Sequence, residues 1–133
     1  MTKRSNYKVL VVDDTEAGRY ALSRFLRAEG FQTLEAATGA EALALAGGAS
    51  AVVLDVHLPD IMGVEVCRQL RERPDMAAVP IVHVSAIYVT GHARAAAERA
   101  GADAYLVSPV NPRELAQLLD KLIDVRAARE PAV

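Results

Sequence analysis

The feature that most constrains the fold is the alternation of short apolar runs with segments of helical period. Five such runs recur along the chain, each bounded by polar residues, glycine or proline. They are KVLVV (8–12), QTLEA (32–36), AVVL (51–54), PIVHV (80–84) and AYLV (104–107). Strands that alternate with helices predict a parallel sheet joined by right-handed crossovers, with helices on both faces. We therefore expect an α/β fold around a five-stranded parallel sheet.

The helical segments between these runs carry recognisable end signals. The first, from about Glu16 to Glu29, stops at Gly30, which is a favourable residue for ending a helix. Its periodicity predicts one packed apolar face, made of Ala21, Leu22, Phe25 and Leu26. The second segment opens with Thr38 and Glu41 at the spacing of a capping box.

The last helix has the clearest pattern. Asn111 is predicted as its N-cap, Pro112 as its first residue and Glu114 as its third. An apolar stripe follows at helical spacing, formed by Leu115, Leu118, Leu119, Leu122 and Ile123. Residues 127–133 are predicted to form a fraying tail, so the folded core spans about 7–126 of a single domain, 1–133.

Length and charge exclude several classes of protein. With 133 residues and a formal net charge of −2, the chain suits one domain and offers no basic surface for nucleic acid. No apolar stretch is long enough to span a membrane, and the N-terminal residues do not resemble a signal peptide. The single Cys67 allows no internal disulfide, and its helical setting favours inert packing. These features predict a cytoplasmic protein without direct nucleic-acid or membrane contacts.

Oxygen-bearing side chains stand where four of the five strands end. Asp13 and Asp14 follow the first strand, Asp55 the third, Ser85 the fourth and Ser108 the fifth. Because the carboxyl ends of parallel strands share one edge, three carboxylates should converge there. Oxygen donors without cysteine or histidine partners favour a hard cation, so the sequence predicts a Mg²⁺ site. A solvated or helix-capping role is the alternative, most plainly for Asp14.

These segments resemble a known family. The stretches VLVVDDTEAGRYAL, VVLDVHLPDIMGVEVCRQL, PIVHVSA and GADAYLVSPVNPREL are similar to the receiver domain of bacterial two-component response regulators. An acidic pair, a D-x-x-x-P-x-x-x-G segment, a strand-end serine and an x-Pro before the last helix occur in order. The resemblance implies a flavodoxin-like (βα)5 three-layer sandwich, with a parallel five-stranded sheet of order 2-1-3-4-5. It also implies that the Ser108-Pro109 bond is cis.

The resemblance assigns a role to each polar position. Asp55 would accept a phosphoryl group from the phosphohistidine of a histidine kinase or phosphotransfer protein. Asp13 and Asp14 would hold Mg²⁺ together with Asp55 and the backbone carbonyl of His57. Ser85 would bond a phosphoryl oxygen, and Tyr105 would be an aromatic switch. Such a protein is a phosphoacceptor switch in a phosphorelay and not an enzyme in the ordinary sense.

Ser108 departs from the family pattern, which ordinarily has lysine at this position. Two unit charges about 4 Å apart interact by roughly 4 kcal/mol at an effective dielectric near 20, so the missing cation should matter. Serine keeps a hydrogen-bond donor but carries no charge. Some receiver domains of hybrid sensor kinases also lack this lysine, which suggests a module of a larger protein that carries an output or kinase domain. His83, within a strand, is expected to be a hydrogen-bonded core residue, and His92 a surface residue.

Two other functions compete with the phosphoacceptor interpretation. The serious alternative is a pseudo-receiver, an interaction module that does not signal through phosphate. A phosphatase of the haloacid dehalogenase sort fits less well, because DDTEA lacks its D-x-D spacing. Nucleotide-binding glycine motifs are absent from the sequence. Weak homodimerisation is compatible with the sequence but nothing in it specifies a dimer.

Overall fold

Strands and helices alternate through residues 3–85 and 91–129, which the computed structural model describes. The strands are β1 (Lys8–Val12), β2 (Gln32–Ala36), β3 (Ala51–Asp55), β4 (Ile81–Ser85) and β5 (Ala104–Val107). The helices are α1 (Glu16–Ala28), α2 (Gly39–Leu45), α3 (Gly63–Arg71), α4 (Gly91–Arg99) and α5 (Pro112–Arg129). All strand pairs are parallel, in the order β2-β1-β3-β4-β5. The predicted α/β fold and its strand order are confirmed.

Successive residues of the central strands face two separate cores. Leu10 and Leu54 pack into the core that includes residues of α2 and α3, whereas Val11 and Val53 pack into the core that includes residues of α1 and α5. Both faces of the sheet are therefore buried. This explains why the strands read as nearly continuous apolar runs and not as an alternating pattern.

The packed face of α1 is narrower than the sequence predicts. Leu26 is fully buried and Leu22 is half-buried, but Phe25 is 49% exposed and Ala21 is also exposed. Ser23 is buried instead. The apolar face of α1 is wider than the part of the helix that packs on the rest of the protein. Ala21 and Phe25, at the side of this face, therefore remain in contact with solvent.

The last helix begins as predicted and ends later. The Oδ1 atom of Asn111 accepts hydrogen bonds from the N–H groups of Arg113 (2.9 Å) and Glu114 (3.1 Å), which confirms the N-cap. The helix continues to Arg129, so residues 127–129, predicted from the sequence to lie in a fraying tail, are helical, while 130–133 lie outside the described residues. Alanine and arginine favour helix, and the first helix-breaking residue is Pro131.

Arg71, at the end of α3, ties together the segments that lead into β4 and β5. Its guanidinium donates to the carbonyls of Gly101 (2.9 Å), Met76 (3.0 Å) and Val79 (2.6 Å). It also pairs with the carboxylate of Asp103 at 2.9 Å, and its side chain is only 18% exposed. This network lies at the edge of the sheet where the strands begin.

A second arginine fixes the start of the described chain. Arg4 pairs with Asp120 of α5 at 2.7 Å and with Glu29 after α1 at 3.0 Å. Its guanidinium also lies 5.4 Å from the centroid of the Phe31 ring. The N-terminal 3-10 turn, Arg4–Asn6, is thereby attached to both helices on that face of the sheet.

Candidate functional site

Three carboxylates converge at the edge where the strands end. Asp13 and Asp14 follow β1, and Asp55 ends β3, the neighbour of β1 in the sheet. Each of the three offers a carboxylate oxygen, and these oxygens all lie within 4.8 Å of one another. Asp13 and Asp55 are half-buried, whereas Asp14 is exposed. The sequence prediction that these side chains meet is therefore confirmed, while the roles assigned to them remain predictions.

The turn after β1 holds Asp13 in place. Its Oδ1 atom accepts hydrogen bonds from the backbone N–H and the hydroxyl of Thr15, both at 2.9 Å. The guanidinium of Arg19 donates to the Asp13 carbonyl at 2.8 Å and pairs with Glu35 at 3.4 Å. Thr15, and not Asp14, occupies the N-cap position of α1. Sequence reasoning missed Thr15 and Arg19, although both fall within the DDTEAGR segment that it singled out.

The pKa of the Asp55 carboxyl differs from that of an ordinary aspartate. Partial burial, together with the negative charges of Asp13 and Asp14, raises the pKa of the Asp55 carboxyl, although a 3.0 Å hydrogen bond from the His57 N–H opposes this shift. Gly63 makes close packing around Asp55 possible, because a Cβ there would collide with the Asp55 carbonyl oxygen. The ring of His57 is exposed and outside the carboxylate cluster.

The cluster fits a hard divalent cation. All of its donors are oxygen atoms, and they converge closely enough to share one ion. Burial and the repulsion from Asp13 and Asp14 both raise the Asp55 pKa, and a bound cation would offset the repulsion. These features favour Mg²⁺ or a similar ion over a metal that prefers nitrogen or sulfur ligands.

Ser85 and Ser108 border the same edge. Ser85 is 1% exposed at the end of β4, and its carbonyl accepts a 2.7 Å hydrogen bond from the N–H of Ser108. Ser108 is exposed, and the Ser108-Pro109 bond is cis, as the resemblance implies.

A small cleft of about 70 Å³ lies between Ser108 and the carboxylates. The residues that line it are Val12, Asp13, Leu22, Val53, Asp55, Val84 and Ser108. None of these lining residues, all within the described part of the chain, is a lysine or an arginine. Among these described lining residues, the cleft has carboxylates, a serine and apolar side chains but no cationic side chain.

Tyr105 lies beside a buried histidine. The rings of Tyr105 and His83 face each other across β5 and β4 with centroids 5.7 Å apart. His83 is fully buried and its Nδ1 lies 3.3 Å from the Leu54 carbonyl, which confirms a hydrogen-bonded core residue, and burial lowers its pKa. The guanidinium of Arg94 on α4 lies 5.8 Å from the centroid of the Tyr105 ring. This helix-to-strand contact has no signature in the sequence. His92 is exposed, as predicted.

Residues 9–120 match the family model described as the response regulator receiver domain. The chain belongs to the receiver domain family. Its sequence is 37% identical over 117 residues to the transcriptional regulatory protein ResD of Bacillus subtilis, covering 86% of this chain. It is also 39% identical over 123 residues to the sensory/regulatory protein RpfC of Xanthomonas campestris, covering 89% of this chain. The chain spans 47% of ResD and 16% of RpfC, so it corresponds to one part of these longer proteins.

Solved receiver domains have the same fold. A CheY-like receiver domain protein from Methanospirillum hungatei JF-1 superimposes with a TM-score of 0.85 at 28% identity, covering 93% of this chain and 98% of that one. The receiver domain of sensor histidine kinase PA1611 from Pseudomonas aeruginosa, which has magnesium coordinated in its active-site cleft, gives a TM-score of 0.80 at 27% identity. That match covers 89% of this chain and 98% of the PA1611 domain. Among the described residues, no helix is both long and apolar enough to cross a membrane.

Proposed function

We propose that this receiver domain is a phosphoacceptor in a two-component or phosphorelay system, with Asp55 as the acceptor and Mg²⁺ as the required ion. The observation that carries the proposal is the convergence of Asp13, Asp14 and Asp55 around one point at the edge of the sheet. The family and the magnesium site of the PA1611 receiver domain support the assignment. The donor is a phosphohistidine of a histidine kinase or phosphotransfer protein.

The chemistry is a transfer between two nucleophiles. An oxygen of the Asp55 carboxylate attacks phosphorus, the bond from phosphorus to the donor imidazole nitrogen breaks, and the imidazole keeps the electron pair and takes up a proton. When bound, Mg²⁺ neutralises phosphoryl oxygens and keeps Asp55 ionised. The chain itself orients the acceptor through the His57 N–H and holds Asp13 through Thr15.

Ser85 and Ser108 provide the neutral donors of the site. In this proposal the Ser85 hydroxyl bonds a phosphoryl oxygen, and the Ser108 hydroxyl offers a weaker, uncharged replacement for the usual lysine ammonium. Phosphorylation then changes the position of the Tyr105 side chain, and a partner protein recognises the changed surface. The protein acts as a switch in the cytoplasm, with at most slow self-phosphorylation and dephosphorylation.

A larger protein context belongs to the same proposal. Because the chain spans less than half of the curated relatives ResD and RpfC, we infer that an output or kinase domain receives the signal of this receiver. The second candidate function is a pseudo-receiver, and the observation in its favour is that none of the described residues lining the cleft is cationic.

Intact mass spectrometry separates the two candidates. The protein is incubated with Mg²⁺ and either acetyl phosphate or a phosphorylated histidine donor. We expect one added phosphoryl group that is absent in Asp55→Asn, is prevented by EDTA and is removed by hydroxylamine, which cleaves acyl phosphates. A parent protein that gains no phosphoryl group from either donor would instead support the pseudo-receiver.

A further inference from the structure

The loop between β3 and α3 (residues 56–62, here called the β3–α3 loop) is attached to a helix outside the acidic cluster. Both carboxylate oxygens of Asp60 accept hydrogen bonds from α2, one from the Gly39 N–H and one from the Ala40 N–H, each at 2.8 Å. The next free N–H, that of Glu41, bonds instead to the Thr38 hydroxyl at 3.1 Å. Thus Asp60 accepts hydrogen bonds from two of the first three N–H groups of α2, and Thr38 accepts from the third.

An apolar contact accompanies this polar one. Gly39 is buried, and a Cβ at that position would collide with the side chain of Ile61, the neighbour of Asp60. Ile61 in turn packs against the core that α2 and α3 share. Glycine at position 39 therefore lets the β3–α3 loop approach α2 closely, and the loop is fixed by two adjacent residues.

The same loop carries the backbone that contacts Asp55. The His57 N–H donates to Asp55 Oδ1 at 3.0 Å, and the Gly63 N–H closes the loop by bonding to the Val56 carbonyl at 2.7 Å. Between these two bonds, the side chain of Asp60 makes the polar contact that joins the loop to α2, beside the apolar contacts of Leu58 and Ile61 with the core. Asp60 is exposed and does not belong to the carboxylate cluster.

We propose that Asp60 is a positioning residue for the acidic cluster. By holding the β3–α3 loop on α2, it sets the place of the His57 backbone relative to Asp55, and through that the affinity of the cluster for a divalent cation. The inference rests on the proposed function, because the position of His57 matters to the chemistry only if the cluster binds a cation.

The test compares Mg²⁺ affinity in three variants, measured by NMR titration below the melting temperature of each. Asp60→Ala should weaken binding by about tenfold, as is common when a group that orients a metal ligand is removed. The Mg²⁺ affinity of Asp60→Asn should lie between those of Asp60→Ala and the parent, because an amide has only one acceptor oxygen. Thr38→Ala is the matched control: it removes a cap from the same end of α2 but leaves the loop contact intact, so its affinity should equal that of the parent.

A second readout needs no metal. In the metal-free protein, amide hydrogen exchange at His57 should be faster in Asp60→Ala than in either the parent or Thr38→Ala. Equal Mg²⁺ affinity in Asp60→Ala and the parent, or an equal loss in Thr38→Ala, would overturn the role of Asp60. If the parent itself fails to bind Mg²⁺, the proposed function fails, and unchanged exchange at His57 would then overturn the positioning role independently.

Discussion

The backbone N–H of Ser108 donates a 2.7 Å hydrogen bond to the carbonyl of Ser85, joining the ends of β5 and β4 beside the acidic cluster. The backbone of Ser108 is therefore fixed beside the acidic cluster, but its side chain carries no positive charge. The cleft between it and Asp55 is lined by carboxylates and apolar side chains.

A positive charge at position 108 should weaken Mg²⁺ binding by the acidic cluster and strengthen the response of Tyr105 to a phosphate analogue. In Ser108→Lys an ammonium competes with Mg²⁺ for the carboxylates, so Mg²⁺ affinity should fall several-fold while NMR shifts at Tyr105 on adding a phosphate analogue should grow. Ser108→Met is the control for side-chain length without charge and should bind Mg²⁺ as the parent does. Tighter Mg²⁺ binding in the lysine variant, without a larger response at Tyr105, would contradict this account.

Neutralising Asp55 should stabilise the metal-free fold. The pKa of Asp55 is raised by partial burial and by Asp13 and Asp14, so the ionised form destabilises the native state once pH exceeds the usual range of an aspartate. At neutral pH without metal, Asp55→Asn should therefore raise the melting temperature by roughly 2–5 °C. Lowering the pH through the raised pKa to below the usual pKa of an aspartate, or adding Mg²⁺, should remove this difference. Glu98→Gln, at an exposed carboxylate on α4, should show no such gain.

Two arginines of α3 should differ sharply in their effect on stability. Arg71→Ala removes a hydrogen-bond donor from several carbonyls and from Asp103, which keeps only the Ile81 N–H among its described donors. This loss in a largely buried setting should lower the free energy of unfolding by about 2–4 kcal/mol in urea denaturation. Arg68 lowers the pKa of Glu65 to about 2, yet both side chains are solvent-accessible. Because solvent screens such pairs, Arg68→Ala should change stability much less. Comparable losses in the two variants would be inconsistent with this ranking.

The thiol of Cys67, the single cysteine, should be unreactive towards alkylating reagents in the folded protein. Burial raises the pKa of the Cys67 thiol to about 11. At pH 8 only roughly one thiol in a thousand would then be ionised, even before steric protection is considered. Alkylation by iodoacetamide should be negligible in native buffer and complete in guanidinium chloride. Rapid native labelling would indicate that α3 opens far more often than its packing implies.

The strands were predictable because both faces of the sheet are buried. Continuous apolar runs placed every strand within one residue of its observed bounds, and the shared strand-end edge placed the three carboxylates together. The residues that α1 buries were not predictable in detail. Phe25 lies at the helical spacing of the apolar face, but no other element covers it fully, so it stays 49% exposed.

Contacts between distant segments account for what the sequence did not predict. Arg71 reaches loop carbonyls as far along the chain as Gly101, and Asp60 caps a helix about twenty residues before it. Neither contact follows from local spacing, because each depends on how loops from different crossovers meet.

The ion pair between Arg4 and Asp120 joins residues 116 positions apart in the chain. Closing a loop of that length in an unfolded chain costs about 4 kcal/mol in entropy, before any constant contribution. A partly exposed ion pair cannot offset such a cost by itself. We therefore expect the pair to form after the sheet and α5 have assembled, as a consequence of folding that marks a late kinetic step.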